Sequence, residues 1–417
     1  MEIQEDRKHV PVIIMDPGTW KIKIGFATDD LPTFEMPCIY IEKEMTNSKI
    51  VKFGYDAIEE YTLIKYGHNK YNKAKNDEST KDEQLVNVNT VFADPRHPLS
   101  NNQYPHLLEV YNHLIKKLNI NTCDYHLLVI IPEMVEKLYA TNLLNWAFKI
   151  HDFCSISFIY NSLAASYYYG LRTALVVDLG ESASRIIPVA ENNGTFLEFA
   201  KISEINGYLI SNYISNFVKI NDNYIDYILI QDYKESNSYV SLDIDNNIKI
   251  LTECNGIIKP YKIPYNNNIY IDPKGEILSH EIYFKPEFLA HLPGNFYKQN
   301  IISLSQLIFE AISSCPIDLR KVLLNNIILV GGVSNCINMP DRLHIELNKI
   351  LRVKNFSENT RISIKHIRMA DIASYLGGKK YAKIIYSNQK KWITKNEYFA
   401  KPTNEILQKL FMWANIL

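Results

Sequence analysis

Two short segments of this chain place an acidic residue, a glycine and a small hydroxyl residue together. One is Asp16-Pro17-Gly18-Thr19, the other Asp178-Leu179-Gly180-Glu181-Ser182. Glycine lets a backbone approach an anion closely and turn its N–H groups toward it. An aspartate in each turn suits a hard cation such as Mg²⁺ or Ca²⁺, held through water while the cation bridges phosphates. Asp16 and Asp178 are the candidate metal residues, and Lys23 is placed to reach back to a phosphate. Asp and Gly are also ordinary β-turn residues, and one such turn alone would mean little. Two of them point to one polyphosphate–metal ligand held between two similar halves.

The elements that must position these groups are legible around them. Each turn follows an apolar run, residues 12–15 and 174–177, and precedes another, residues 22–26 and 185–189. That is the pattern of a buried strand, a turn and a returning strand. Helical spacing covers residues 104–118, 135–150 and 161–169, with a strand at 125–131 closed by Pro132. After the second hairpin come helical spacing at 208–218, mixed strands to about residue 283, and a helix at 303–313. A strand at 326–330 then ends in Gly331-Gly332, and a helix carrying Leu343, Leu347 and Ile350 follows. A second glycine pair, Gly377-Gly378, reads either as a ligand approach or as a packing device. The alternation of helix and strand in both halves predicts an α/β fold.

Composition narrows the class. The chain has 417 residues, 47% hydrophobic and 22% charged, with a formal net charge of -1. It is long enough for two domains. It gives no strong signal for nucleic acid or for a direct membrane contact. No apolar stretch reaches a membrane span, and the N-terminus lacks a secretory pattern, so the chain is expected not to be secreted. Six scattered cysteines read as reduced thiols of the nucleus or cytoplasm.

Taken in order, these residues resemble actin and the actin-related proteins over nearly the whole length. Residues 16–32 resemble the first phosphate loop and its strands, and 177–182 the second. Residues 232–235 and 239–243 resemble the segment with the family's Lys-Glu pair, here Lys234 and Glu235. Residues 315–321 and 329–332 resemble the approach to the adenosine loop. Residues 375–378 and 391–398 resemble the C-terminal signature. The resemblance implies an actin-like ATPase fold, two RNase H-like halves around a nucleotide cleft. The first large subdomain is expected at 8–37, 94–172 and 365–417, and the first small lobe at 38–93 with a polar insertion at 66–88. The second large subdomain is expected at 173–205 and 276–364, and a shortened second small lobe at 206–275. It implies ATP or ADP with Mg²⁺ or Ca²⁺, contacted by Asp16, Gly18, Thr19, Lys23, Asp178, Gly180, Glu181, Ser182, Gly207, Lys234, Glu235, Gly331 and Gly332.

The departures from the family are specific. Trp20 stands where a glycine follows the hydroxyl residue, and Glu181 and Ser182 stand where Asp and Gly are usual. Asn161 replaces the glutamine that orders the attacking water. It is one methylene shorter, and a displacement of about 1 Å costs catalysis on the order of a hundredfold. Cys336 and Asp371 replace an aromatic and a lysine beside the adenine. Residues 40–53, a filament-docking loop in the family, have lost its pattern. An apolar helical face (Ile406, Leu407, Leu410, Phe411, Ala414, Leu417) ends the chain; it packs on its own domain or docks a partner. The expectation is a non-filamentous actin-related protein, at most a very slow ATP hydrolase, with a structural nucleotide. It would be a subunit of a multiprotein complex, with actin or other actin-related proteins among its partners. That complex is nuclear and chromatin-remodelling, or cytoskeletal and actin-nucleating or dynactin-like. The alternatives are a filament-forming ATPase and a sugar kinase or chaperone of the same fold.

Overall fold

A computed structural model describes residues 11–45, 49–66, 85–91, 104–191, 194–220, 223–224, 227–253, 259–262, 268–291, 301–354, 361–386 and 388–415. Its frame is two central sheets of matching topology. In the first, Val12–Pro17 runs antiparallel to Lys21–Phe26 and parallel to His126–Ile131, which is parallel in turn to Ser155–Tyr160. In the second, Ala174–Leu179 runs antiparallel to Ser184–Ala190 and parallel to Ile327–Val330, which pairs in parallel with Ile364–Lys365. Each Asp-bearing strand is central in its sheet, with a partner on both sides. Such a strand is covered on both faces, which is why 12–15 and 174–177 read as unbroken apolar runs; all eight residues are buried.

Two large cores flank the sheets, and the first also takes Ala174, Val176, Val189, Ile328 and Val330 from the second sheet. Leu107, Val110, Tyr111 and Leu114 of the helix Tyr104–Leu118 join the first, and Leu304, Ile308, Leu343 and Leu347 join the second. The helix Leu304–Ser314 begins on Ser303, whose hydroxyl accepts from the Gln306 N–H at 3.4 Å. This is the usual way a hydroxyl satisfies a free helix-start amide. Among the described residues no helix is long and apolar enough to cross a membrane.

The structure corrects several sequence expectations. The stretch expected as mixed strands up to 283 also contains the helices Tyr227–Asn237, Ile244–Glu253 and Pro273–Leu278. In the first of these, the buried face includes Gln231 and Lys234 beside Ile230 and Tyr233. Apolar spacing alone therefore misses it. Within the expected loop 40–53, Tyr40–Met45 and Lys49–Phe53 are strands that pair antiparallel, and Leu85–Val91 adds a third. The polar insertion thus ends before residue 85, because Leu85, Val86 and Val88 lie in that strand; residues 67–84 lie outside the described residues. The segment 135–150 is a short α-helix, Lys137–Asn145, continued by a π-helical turn, Trp146–Ile150.

Gly377 and Gly378 do not end a strand. They sit inside the helix Ala373–Ile385, which lies against Asn161–Tyr169. A Cβ on Gly377 would fall 1.6 Å from the Ala164 carbonyl oxygen, so this glycine permits helix-to-helix contact and does not serve a ligand. The C-terminal helix, Thr403–Ala414, buries Ile406, Leu407, Leu410, Trp413 and Ala414 in the first core. It packs on its own half, and Leu417 lies outside the described residues.

Candidate functional site

Between the two halves lies a cavity of about 380 Å³. It is lined by Asp16, Gly18, Thr19 and Lys23 from the first hairpin and by Asp178, Gly180, Glu181 and Ser182 from the second. Asn161, Lys234, Glu235, Gly331 and Gly332 complete the wall, together with Trp20, Cys336 and Asp371. One of the residues singled out from sequence, Gly207, stands behind this wall. A Cβ there would lie 2.3 Å from Glu181 Oε2, so Gly207 makes room for the Glu181 side chain.

Burial and charge set the carboxyl groups. Desolvation raises the Asp16 carboxyl above the ordinary range, opposed by the nearby Lys23 ammonium. Desolvation pushes the Asp178 carboxyl up to about 6, opposed first by Arg185. Asp178 Oδ2 accepts from Asn161 Nδ2 at 2.9 Å. Gly331, with φ +92°, passes so close that a Cβ would lie 2.5 Å from Asp178 Oδ1. The residue that must approach Asp178 is thus the one with no side chain and a left-handed backbone.

The two turns meet directly. Thr19 Oγ1 donates to Ser182 Oγ at 2.9 Å. Glu181 is held by its own half: Lys234 Nζ lies 2.7 Å from Oε2, and Gln231 Nε2 donates to Oε1 at 2.8 Å. Lys234 also donates to the Gly207 carbonyl at 3.0 Å. Glu235 reaches the other way, to Lys21 Nζ at 3.0 Å, and Glu35 lies 3.5 Å from the same ammonium. That ion pair links the first hairpin to the helix Tyr227–Asn237. At the far wall Asn335 Nδ2 donates to Asp371 Oδ1 at 2.8 Å, while the Ala370 N–H donates to Asn335 Oδ1 at 2.9 Å.

Two basic groups on the cavity wall remain uncommitted among the described residues. Lys23 is buried, and neither its ammonium nor the Arg185 guanidinium has a hydrogen-bond or ion-pair partner there. A buried cation without a partner is costly, and an anion in the cavity would satisfy both. Among the described residues no set of three or more His, Cys, Asp or Glu side chains is placed to hold a metal. Asp16 and Asp178 suit a cation that takes its remaining oxygens from phosphate and water.

Sequence reasoning missed Lys21, Arg185, His280, Asn335 and Ser374 on this wall. Lys21 and Asn335 neighbour motif residues, and Arg185 follows Asp178 at the spacing that separates Lys23 from Asp16. Nothing in the local sequence marks His280. It is fully buried, and burial followed by the Lys234 charge holds its imidazole down at about 3.

The chain is similar to known proteins over most of its length. Residues 7–225 and 221–410 match the family model described as Actin. The chain is 24% identical over 406 residues to actin-related protein 2 of Schizosaccharomyces pombe, covering 93% of this chain and 95% of that one. It is 23% identical over 415 residues to actin-related protein 2 of Arabidopsis thaliana, covering 94% and 97%. Against the protein of that name from Oryza sativa subsp. japonica it is 22% identical over 409 residues, covering 93% and 95%.

Proposed function

The chain belongs to the actin family as a divergent actin-related protein, and from that premise we propose that it is a nucleotide-holding subunit of a multiprotein assembly. ATP or ADP occupies the cleft with Mg²⁺ or Ca²⁺ and serves mainly to join the two halves. Asp16 and Asp178 hold the cation through water. The turn amides and Lys23 hold phosphate, and the wall of Lys234, Glu235, Gly331 and Gly332 takes the nucleoside. The bound cation supplies charge neutralisation between phosphates. The unit boundaries proposed above from sequence, apart from the end of the polar insertion, are the segments that move when the cleft opens.

The observation that carries the structural-nucleotide reading is the bond from Asn161 Nδ2 to Asp178 Oδ2 at 2.9 Å. The shortened amide that would orient an attacking water spends one of its two N–H groups on a carboxylate, which holds it against the second hairpin. Water in the cleft is therefore left unplaced, and turnover is very slow.

Two measurements test the reading. Mg-ATP binding only to the folded state at a hundredfold excess over Kd adds about 2.7 kcal/mol of stability. No shift of the melt at millimolar ATP, in protein shown to be nucleotide-free, would sink the nucleotide proposal. For the assembly, affinity purification of the tagged chain from its own cells should recover other actin-family subunits. Cytoskeletal or chromatin-remodelling companions then decide the compartment, and recovery of the chain alone counts against the subunit role. Pelleting of pure protein as filaments in polymerising salt would favour the filament-forming alternative.

A further inference from the structure

The two hairpins share more than their Asp-x-Gly turns. Lys23 follows Asp16 by seven residues, and Arg185 follows Asp178 by the same seven. In the antiparallel ladders Asp16 stands directly opposite Lys23, and Asp178 directly opposite Arg185. Residues directly opposed across such a ladder project from the same face. In the second hairpin the other face carries Val177, Leu179 and Ile186 into the core of the second half. Arg185 therefore leaves on the side of Asp178, and it lines the cavity. The repeated motif is thus Asp-x-Gly followed by a cation at one fixed position, lysine in one half and arginine in the other.

Arg185 is half-buried and, among the described residues, unpartnered. It is close enough to Asp178 to lower that carboxyl, yet it forms no ion pair with it. A guanidinium presents a planar fork of donors that matches two phosphate oxygens. Asp178, on the same face, is bonded to Asn161 at the start of the helix Asn161–Tyr169, which comes from the first half. This is the floor of the cleft. A nucleotide whose nucleoside lies against Lys234 and Gly332 would reach that floor with its last phosphate.

We propose that Arg185 is a specificity-determining residue that grips the terminal phosphate of a nucleoside triphosphate and so makes the cleft discriminate triphosphate from diphosphate. The proposal rests on the nucleotide reading given above. Lys23 and the turn amides serve both ligands, whereas Arg185 serves the third phosphate. Because Asn161 is tied to Asp178, a triphosphate gripped in this way stays bound and uncleaved. The state of the assembly would then follow which nucleotide is loaded.

The test is competitive displacement of a fluorescent adenine nucleotide from the full-length chain. The competitors are Mg-ADP and a non-hydrolysable Mg-ATP analogue. The proteins are wild type, Lys23→Ala, Arg185→Ala and Arg185→Lys, each confirmed as folded by circular dichroism. Arg185→Ala should weaken the triphosphate about tenfold or more and the diphosphate less than about threefold. Arg185→Lys, which keeps the charge and loses the fork, should fall between and carries the test should the alanine variant not fold. Lys23→Ala should weaken both ligands. Equal losses for both ligands in the Arg185 variants, or no loss for either, overturn the inference while leaving the site reading intact. Absence of nucleotide binding by the wild type overturns both.

Discussion

Removing the chain after Pro402 should unfold the first half and not merely strip a docking handle. The deleted helix, Thr403–Ala414, packs against the sheet strand Ser155–Tyr160 and the helix Lys137–Asn145. Ile406 and Leu410 are 0% exposed, Leu407 3% and Trp413 6%. Burying one such side chain stabilises a fold by about 1.5–3 kcal/mol, so the four together contribute about 6–12 kcal/mol. That is comparable with the whole stability of an ordinary domain, about 5–15 kcal/mol. The end of the helix adds a tie to the other half, since the Thr195 N–H donates to Asn415 Oδ1 at 2.8 Å. The assay is urea unfolding followed by tryptophan fluorescence. Truncated protein should lack a cooperative transition. Leu410→Ala should cost about 2–5 kcal/mol, and Met412→Ala, on the exposed face, should stay within about 0.5 kcal/mol. Equal midpoints for Leu410→Ala and Met412→Ala would refute the packing argument, and so would a truncated chain that melts like the whole one.

Other perturbations probe the cleft and the helix contact beneath it. Asn161→Gln lengthens the side chain past Asp178 and should raise phosphate release in a single turnover, by as much as about a hundredfold; an unchanged rate would mean that water positioning is not the limiting defect. His280 is held neutral by burial at a folded pKa of about 3, below its unfolded value of 6.5, so its stabilising contribution is present above 6.5 and is lost as pH falls toward 3. The stability advantage of wild type over His280→Gln should therefore shrink between about pH 7 and about pH 4, and a constant difference would count against it. Gly377→Ala places a methyl 1.6 Å from the Ala164 carbonyl and should cost more than about 3 kcal/mol; a normal urea midpoint would show that the two helices can part.

The central frame was legible because its signals are local. A strand buried on both faces announces itself as an apolar run, and the Asp and Gly that follow stand next to it in sequence. Elements away from these strands were less legible because their order depends on distant partners. The helix Tyr227–Asn237 buries Gln231 and Lys234 only because Glu181, some fifty residues earlier, accepts from both. For Gly377 the sequence left ligand approach and packing both open, because the carbonyl that excludes its side chain belongs to Ala164, more than two hundred residues away. The cation at Arg185 was readable in principle. Its distance from Asp178 repeats that of Lys23 from Asp16, but the comparison requires aligning the two halves with each other.

The departures from the family pattern also acquire a different meaning in three dimensions. Read singly, Glu181, Ser182, Asn161 and Asp371 suggest a worn site. A worn cleft should contain buried polar atoms with nothing to bond, because an orphaned group costs about 1–3 kcal/mol and nothing compensates it. None of these four is among the buried side-chain atoms that lack a partner. Glu181 takes Lys234 and Gln231, Ser182 takes Thr19, Asn161 takes Asp178, and Asp371 takes Asn335. Each of the four substituted side chains therefore has a partner in the cleft. Two of these five bonds, Thr19 to Ser182 and Asn161 to Asp178, join the two halves across its floor. What that wiring leaves over is Lys23 and Arg185, one cation on each hairpin. Among the described residues these two cations stay unpaired on the cavity wall, and that is the charge the proposed polyphosphate would meet.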